Sequence, residues 1–372
     1  MWNSFQIGKL FGIGIRIDYT WFIVFALVAG SLGFSYFPEV YPGWSSVRYW
    51  LMGIITALIF FASVLAHEMA HSLVSKSRGV PVQSITLFIF GGVARISDEP
   101  KGPGSEFWMA LAGPATSIGL GIIFGALYLA TRKMGMLFPA TVELLAYINI
   151  FVAVFNLIPG FPLDGGRILR SIIWKITGNL RKSTRIASVM GRIVAYLLIL
   201  LGASRVLSGN WLNGMWIAFI GWFLQNAASS SYRQLALREM LQGAKVSDVM
   251  VNDCIGLSKD LTIQELVDNY ILSTIHRCFP VIDKSDVIGI VTLRSVKDIP
   301  REQWKTMTVE EVMTPFGEMK TVHPDDDLHT VMRQMAEEDA EQLPIMENGQ
   351  IIGMIARDDL ARFINARTEL GV

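Results

Sequence analysis

The sequence predicts a multi-span α-helical membrane protein that also carries a separate α/β domain outside the bilayer, and three observations predict it. Of its 372 residues, 52% are hydrophobic and 17% charged, a balance outside the usual soluble range. The apolar residues gather in uncharged runs near the roughly 20 residues needed to cross hydrocarbon. Charge sums to zero but is divided: residues 1–244 hold 19 Lys/Arg against 9 Asp/Glu, and residues 245–372 hold 13 against 23. Two chemically different regions share one chain, and neither contains a nucleic-acid-binding motif.

From the N-terminus, residues 5–17 are strand-like, with alternation clearest over 8–17. Uncharged runs follow at 19–38, 49–66, 107–131, 144–163 and 206–232. A sixth span is expected at 186–207, where Arg192 must snorkel or lie near an interface. The first run lacks the cleavage pattern of a signal peptide and is expected to be retained. Residues 84–96 are β-prone and contain the pair Gly91 and Gly92. About six spans would place both termini on one side of the membrane. Segments on that side carry fifteen Lys/Arg against four on the other, which predicts cytosolic N- and C-termini in the cell membrane. Both cysteines, Cys254 and Cys278, fall in the acidic region and are expected to be free thiols in a reducing location.

The second run ends in His67, Glu68 and His71, an HExxH string. On a helix, positions i and i+4 share a face, so both imidazoles can bind one zinc ion with Glu68 placed as general base. Ionisable groups that follow an apolar run are costly in hydrocarbon and point to function. A catalytic zinc also needs a third protein ligand and an open position. Asp164 is the candidate, in the string NLIPGFPLDGGR at 156–167. There Pro159, Pro162, Gly165 and Gly166 are expected to prevent a regular helix, leaving unwound backbone to aim the carboxylate.

With both motifs in place the sequence resembles the site-2 protease family of intramembrane metalloproteases, in its prokaryotic branch with appended CBS domains. The resemblance implies one zinc ion per membrane domain, held by His67, His71 and Asp164, with Glu68 as catalytic acid/base and Asn156 lining the active site. It implies a membrane-protein substrate cut in or near a transmembrane segment. Asn149 reads instead as an interhelical hydrogen-bonding residue. The family places strands such as 8–17 and 84–96 in a small membrane-associated sheet, whose edge could pair with an unwound substrate. The string Gly113-Pro114-Ala115-Thr116-Ser117 is similar to the family's GPxxN element, with Ser117 where Asn is common. Helix packing through small residues accounts for that string by itself.

The acidic region repeats itself at an offset of about 64 residues. VSDVM at 246–250 recurs as VEEVM at 309–313, and VIGIV at 287–291 recurs as IIGMI at 351–355. Each copy reads as strand, helix, strand, strand, helix, and the pair resembles tandem CBS domains, which implies a cytosolic module able to bind an adenine nucleotide or to form a homodimer. Of the family's GxxTxxD element, the first copy holds Gly289, Thr292 and Ser295, and the second Gly353, Ala356 and Asp359. Thr292 and Asp359 are therefore the candidate nucleotide contacts. The expected domains are 1–235, 245–300 and 307–370. The rival function is a CBS-regulated ion channel or transporter with His67, Glu68 and His71 along an ion pathway. It leaves the 156–167 string unexplained, and no internal repeat is seen in residues 1–235.

Overall fold

The structure, a computed structural model, describes residues 4–370 apart from 90, 97–99, 134–136, 242, 253, 274–278, 285, 298, 316, 318, 338–339 and 348–349. The chain divides into two compact units, Met1–Arg233 and Gln234–Val372.

In the first unit, the alternating N-terminal segment folds as a hairpin of β1 (Ser4–Leu10) and β2 (Ile13–Asp18). Its two-residue turn has Phe11 and Gly12 at φ 52° and 81°, the double positive-φ turn whose twist suits paired strands. Helix α1 (Tyr19–Ser31) continues through a π turn at 32–36 into α2 (Phe37–Val40). Asp18 caps α1, accepting from the Thr20 hydroxyl at 2.6 Å and the Thr20 N–H at 2.9 Å. Those two bonds hold its carboxyl below the usual range. Helix α3 (Ser46–Ser77) has 32 residues, so at 1.5 Å per residue it is about 48 Å long and outruns a hydrocarbon core of about 30 Å. β3 (Val82–Phe88) then pairs parallel with β2, and β4 (Gly91–Ile96) antiparallel with β3, giving the order β1-β2-β3-β4. Ile13, Ile15 and Ile85 on one face of this sheet pack on Met69 and Leu65 of α3. The glycine pair thus opens β4 rather than ending a single strand.

Four long helices and one short one follow: α4 (Pro103–Thr131), α5 (Leu137–Asn156), α6 (Asp164–Thr177), α7 (Leu180–Leu207) and α8 (Trp211–Leu241). Small residues set the close crossings, as membrane helices require. A side chain on Gly53 of α3 would strike the Ala29 carbonyl, and one on Gly121 of α4 would strike Ile150 of α5. Large apolar side chains face outward, Ile122 at 63% and Phe151 at 69% exposure, while Thr56, Ser63, His67, His71 and Ser72 are buried. Water would favour the opposite sorting.

Among the described residues, five helices are long and apolar enough to span a membrane: Tyr19–Val40, Ser46–Ser77, Pro103–Thr131, Phe138–Asn156 and Leu180–Leu207. Two expected spans change. The run at 144–163 stops being helical after Asn156, where Pro159 and Pro162 cannot continue the hydrogen-bond ladder. The run at 206–232 straddles the break between α7 and α8. The weaker sixth span instead belongs to a full-length apolar helix, α7, whereas α8 carries Trp211, Asn213, Gln225 and Asn226 and falls short on hydropathy.

The second unit contains β5 (Leu257–Ser258), α9 (Ile263–Leu266), β6 (Phe279–Asp283), β7 (Asp286–Val291), α10 (Leu293–Lys297), α11 (Val309–Val312), β8 (Thr314–Pro315), α12 (Leu328–Glu337), β9 (Gln342–Glu347), β10 (Gln350–Ala356) and α13 (Arg357–Leu370). The sheets run β5-β6-β7-β8 and β9-β10. The opening strand of the second copy is reduced to a single bridge, Val322 to Ile345. Each copy lends its leading segment to the other. Val309 packs with Leu257, Ile263 and Val281 of the first copy, and Val246 packs with Leu328, Leu343 and Ile355 of the second. Equivalent capping contacts mark the duplication: the Lys245 N–H donates to Asp248 Oδ2 at 2.9 Å, and the Thr308 N–H to Glu311 Oε2 at 2.7 Å. Cys254 is disulfide-bonded, which corrects the expected free thiol; Cys278 lies outside the described residues. The expectation rested on redox compartment, and a sequence carries no distance between cysteines.

Candidate metal centre

The centre begins on α3, where the four-residue spacing stacks His67 and His71 on one face. Both are buried, at 5% and 6% exposure. Opposite them runs α4, which presents residues 109, 113 and 117, each four apart and so on a single stripe. His71 Nδ1 lies 2.6 Å from the Met109 carbonyl oxygen, and His67 Nδ1 lies 2.9 Å from Ser117 Oγ. Between these contacts stands Gly113, where a Cβ would land on the Nε2 atoms of both histidines. Only a glycine leaves that space open.

Asp164 arrives from a third direction. The segment after α5 turns back at 157–163, with a cis bond between Phe161 and Pro162. The Phe161 N–H donates to the Ala187 carbonyl of α7 at 3.1 Å. Asp164 is the first residue of α6, and Gly165 and Gly166 lie inside that helix. This corrects the expectation that the glycines prevent a helix. Their role is close approach: a side chain on Gly165 would strike the Leu157 and Ile158 carbonyls, and one on Gly166 the Gly160–Phe161 peptide. Arg170 further along α6 is ion-paired with the fully buried Glu106 of α4 and lies over the Phe161 ring, 5.2 Å from its centroid. That pair ties α6 to α4 beside the centre.

Three atoms converge. His67 Nε2 is 3.2 Å and His71 Nε2 is 3.1 Å from Asp164 Oδ2, and the two Nε2 atoms are 3.1 Å apart. Four ligands at 2.0–2.1 Å in a tetrahedron stand about 3.3 Å from one another, so this triangle has the size of one zinc face. The chemistry of the donors agrees. A carbonyl oxygen only accepts, so His71 must donate from Nδ1, and the neutral ring then presents its lone pair at Nε2. That lone pair faces a carboxylate oxygen, an arrangement that neutral groups do not favour and a cation stabilises. These three residues form the one group of His, Cys, Asp or Glu among the described residues that could hold a metal ion.

Glu68, on the same helix, is half-buried, and a Cβ on Gly92 would strike its side chain. The start of β4 therefore lies against the Glu68 carboxylate. Asn156 ends α5 with Nδ2 donating to the Val152 carbonyl at 3.0 Å. Asn149 Nδ2 donates to Leu145 O at 2.8 Å within its own helix, where an interhelical bond was expected. In the sequence Gly113 and Ser117 read as packing residues and Gly92 as part of a β-prone segment, none of them marked as near the centre, and nothing singles out Met109. The four-residue spacing of Gly113, Ser117 and Gly121 was a signal, but it reads equally as packing. A backbone carbonyl such as that of Met109 leaves no sequence signal at all.

In the second unit the candidate nucleotide residues serve as local caps. Thr292 Oγ1 accepts from the Ser295 N–H at 3.2 Å, and Asp359 Oδ2 accepts from the Ala356 N–H at 3.1 Å. Each copy thus keeps one half of a capping box, the cap hydroxyl in the first and the acidic third position in the second.

The profile of Peptidase family M50 matches residues 55–137 and 129–201, and that of the CBS domain matches 246–302 and 309–366. Sll0528 of Synechocystis sp. (strain ATCC 27184 / PCC 6803 / Kazusa), provisionally named a zinc metalloprotease, is 34% identical over 97% of this chain and 95% of its own length. Rip3 of Mycobacterium tuberculosis, named in the same provisional way, is 32% identical over 98% and 94%. Among solved structures, the site-2 protease from Methanocaldococcus jannaschii is 28% identical and covers 62% of this chain and 95% of its own, with a TM-score of 0.42.

Proposed function

Because the chain belongs to peptidase family M50, the site-2 proteases, in a form joined to a CBS pair, we propose that it is a zinc-dependent endopeptidase cutting within or beside a transmembrane segment of another membrane protein. The observation that carries this reading is the triangle of His67 Nε2, His71 Nε2 and Asp164 Oδ2, with sides of 3.1 to 3.2 Å. Zinc held there supplies a Lewis acid that polarises a carbonyl and activates water. Glu68 takes a proton from the attacking water onto a carboxylate oxygen and returns it to the leaving amide nitrogen. β4 is an edge strand whose first residues adjoin Glu68, so an unwound substrate segment can add to the sheet beside the general base. Asn156 lines the approach. The sheet rests at the membrane surface, and α8 serves as a sixth span that returns both termini to the cytosolic side of the cell membrane.

The regions 1–235, 245–300 and 307–370 then act as protease domain and two CBS repeats. An adenine nucleotide bound between the repeats, with Thr292 and Asp359 as polar contacts, would modulate cleavage if it binds two arrangements of the pair with different affinity. The pair also offers the surface for a homodimer.

The deciding experiment incubates purified full-length protein with tagged transmembrane substrates, before and after zinc removal. Cleavage should vanish with a chelator and return with zinc; no cleavage across a broad substrate panel would refute the protease reading. Titration of the full chain with ATP, ADP and AMP tests the regulatory part, and no binding of any of the three would leave the CBS pair without a nucleotide role.

A further inference from the structure

The two zinc-facing histidines are held from behind by different chemical groups, and the difference carries information. His71 Nδ1 meets a backbone carbonyl, that of Met109, at 2.6 Å. An oxygen of that kind can only accept, so His71 carries a proton on Nδ1, and in the neutral form that a metal requires its Nε2 is a lone pair. His67 Nδ1 meets the Ser117 hydroxyl at 2.9 Å, and a hydroxyl can donate or accept. The local contact therefore leaves the His67 tautomer open.

The opposite side of the ring closes it. His67 Nε2 lies 3.1 Å from His71 Nε2 and 3.2 Å from Asp164 Oδ2. A proton there would occupy the direction that a metal needs. The geometry points to Ser117 as a positioning residue: its oxygen accepts the Nδ1 proton of His67, fixing the ring's orientation and keeping the Nε2 lone pair aimed at the metal. This assignment rests on the zinc reading above.

A packing role alone is the competing explanation, because Ser117 is small, 1% exposed and on the same stripe as Gly113. Packing accounts for the size of the residue. It does not account for a hydroxyl within hydrogen-bond distance of the one ring nitrogen that must be protonated, at the position matching that of Met109 on the other side of Gly113. His67 and His71 are four apart on α3, Ser117 and Met109 eight apart on α4, and each pair brackets the same opening.

Threonine and valine have nearly the same shape and differ by a hydroxyl against a methyl, so Ser117→Thr and Ser117→Val load the helix crossing alike. Zinc affinity is read by chelator competition on the full-length protein in detergent. Ser117→Val should bind zinc about 10- to 100-fold more weakly than wild type, as loss of a group orienting a metal-bound histidine typically does, with Ser117→Thr within about threefold. Ser117→Ala, which introduces no extra volume, should match the valine variant. Equal zinc affinity in the threonine and valine variants would overturn the assignment. So would a zinc affinity in Ser117→Ala within about threefold of wild type, since a hydroxyl that orients His67 cannot be lost without effect. A wild-type protein that binds no zinc would remove the zinc reading itself, and this assignment with it, a result distinct from both.

Discussion

Asp164 and Asp359 sit in the same local setting, the first turn of a helix, and the two units use them in opposite ways. Asp164 is reached by His67 and His71, 97 and 93 residues away in sequence. Asp359 is engaged by the Ala356 N–H and the Arg362 guanidinium, each three residues away. The membrane unit turns its large apolar side chains outward and its polar ones inward, whereas the second unit buries Leu257, Phe279, Leu328 and Ile355, leaves the capping acids Glu265 and Glu311 exposed, and buries Asp359 beside its local partners. In hydrocarbon an unpaired polar group is expensive, so polar side chains find one another across long distances and form a centre. Next to water, the nearest backbone N–H and a solvent-exposed guanidinium are enough, even for the buried Asp359. A carboxylate at a helix start is thus a ligand in one unit and a cap in the other.

Substitutions in the first unit should have the larger effects. Asp164→Ala should lose zinc and all measurable cleavage, since two histidines alone do not make a catalytic site. Metal analysis after gel filtration checks it, and full zinc content in that variant would break the comparison at its centre. Glu68→Gln should separate chemistry from binding. Zinc content should stay at wild-type level while the cleavage rate falls about 10²- to 10⁴-fold, the range for a lost general acid/base. A rate near wild type would remove Glu68 from that role. Gly113→Ala places a methyl group where both Nε2 atoms point, so zinc content should drop although every ligand is present. Retained zinc in a folded Gly113→Ala protein would show that the opening is wider than these contacts allow.

In the second unit the effects should be small and local. Asp359→Ala should lower the stability of that unit by about 1 kcal/mol, the usual cost of a lost helix cap, with zinc content unchanged. Hydrogen exchange of the α13 amides in the full-length protein reads this. The pH dependence is gentler still. The Thr262 hydroxyl, and after it the Thr262 N–H, hold the exposed Glu265 carboxyl below its ordinary value of 4.5. A depressed acid contributes stability that is present above that ordinary value and lost as pH falls through the folded-state one. Protection of the α9 amides against hydrogen exchange should therefore fall on acidification in the wild type and vary less in Glu265→Gln. Equal pH response in the two proteins would show that this cap is not coupled to the helix.

The divided charge, the apolar runs, the duplication and the HExxH helix were legible because each depends on residues near one another in sequence. A spacing of four specifies a helix face whatever the helix packs against, and a repeat is visible by sliding the chain along itself. Boundaries were less legible: Gly165 and Gly166 read as helix breakers because their propensity is poor, and tertiary contact overrode it. Asp164 could be named as third ligand from its motif, but its approach to the histidines depends on glycines that let 157–163 lie directly on α6. The groups behind the histidines were out of reach. The Met109 carbonyl belongs to every residue type alike, Ser117 is as good a packing residue as a hydrogen-bond partner, and the opening at Gly113 exists only because α3 crosses α4 there. Sequence determined which chemistry this protein carries; the helix crossing decided which group stands behind each histidine, because that requires two surfaces brought to within about 3 Å of each other.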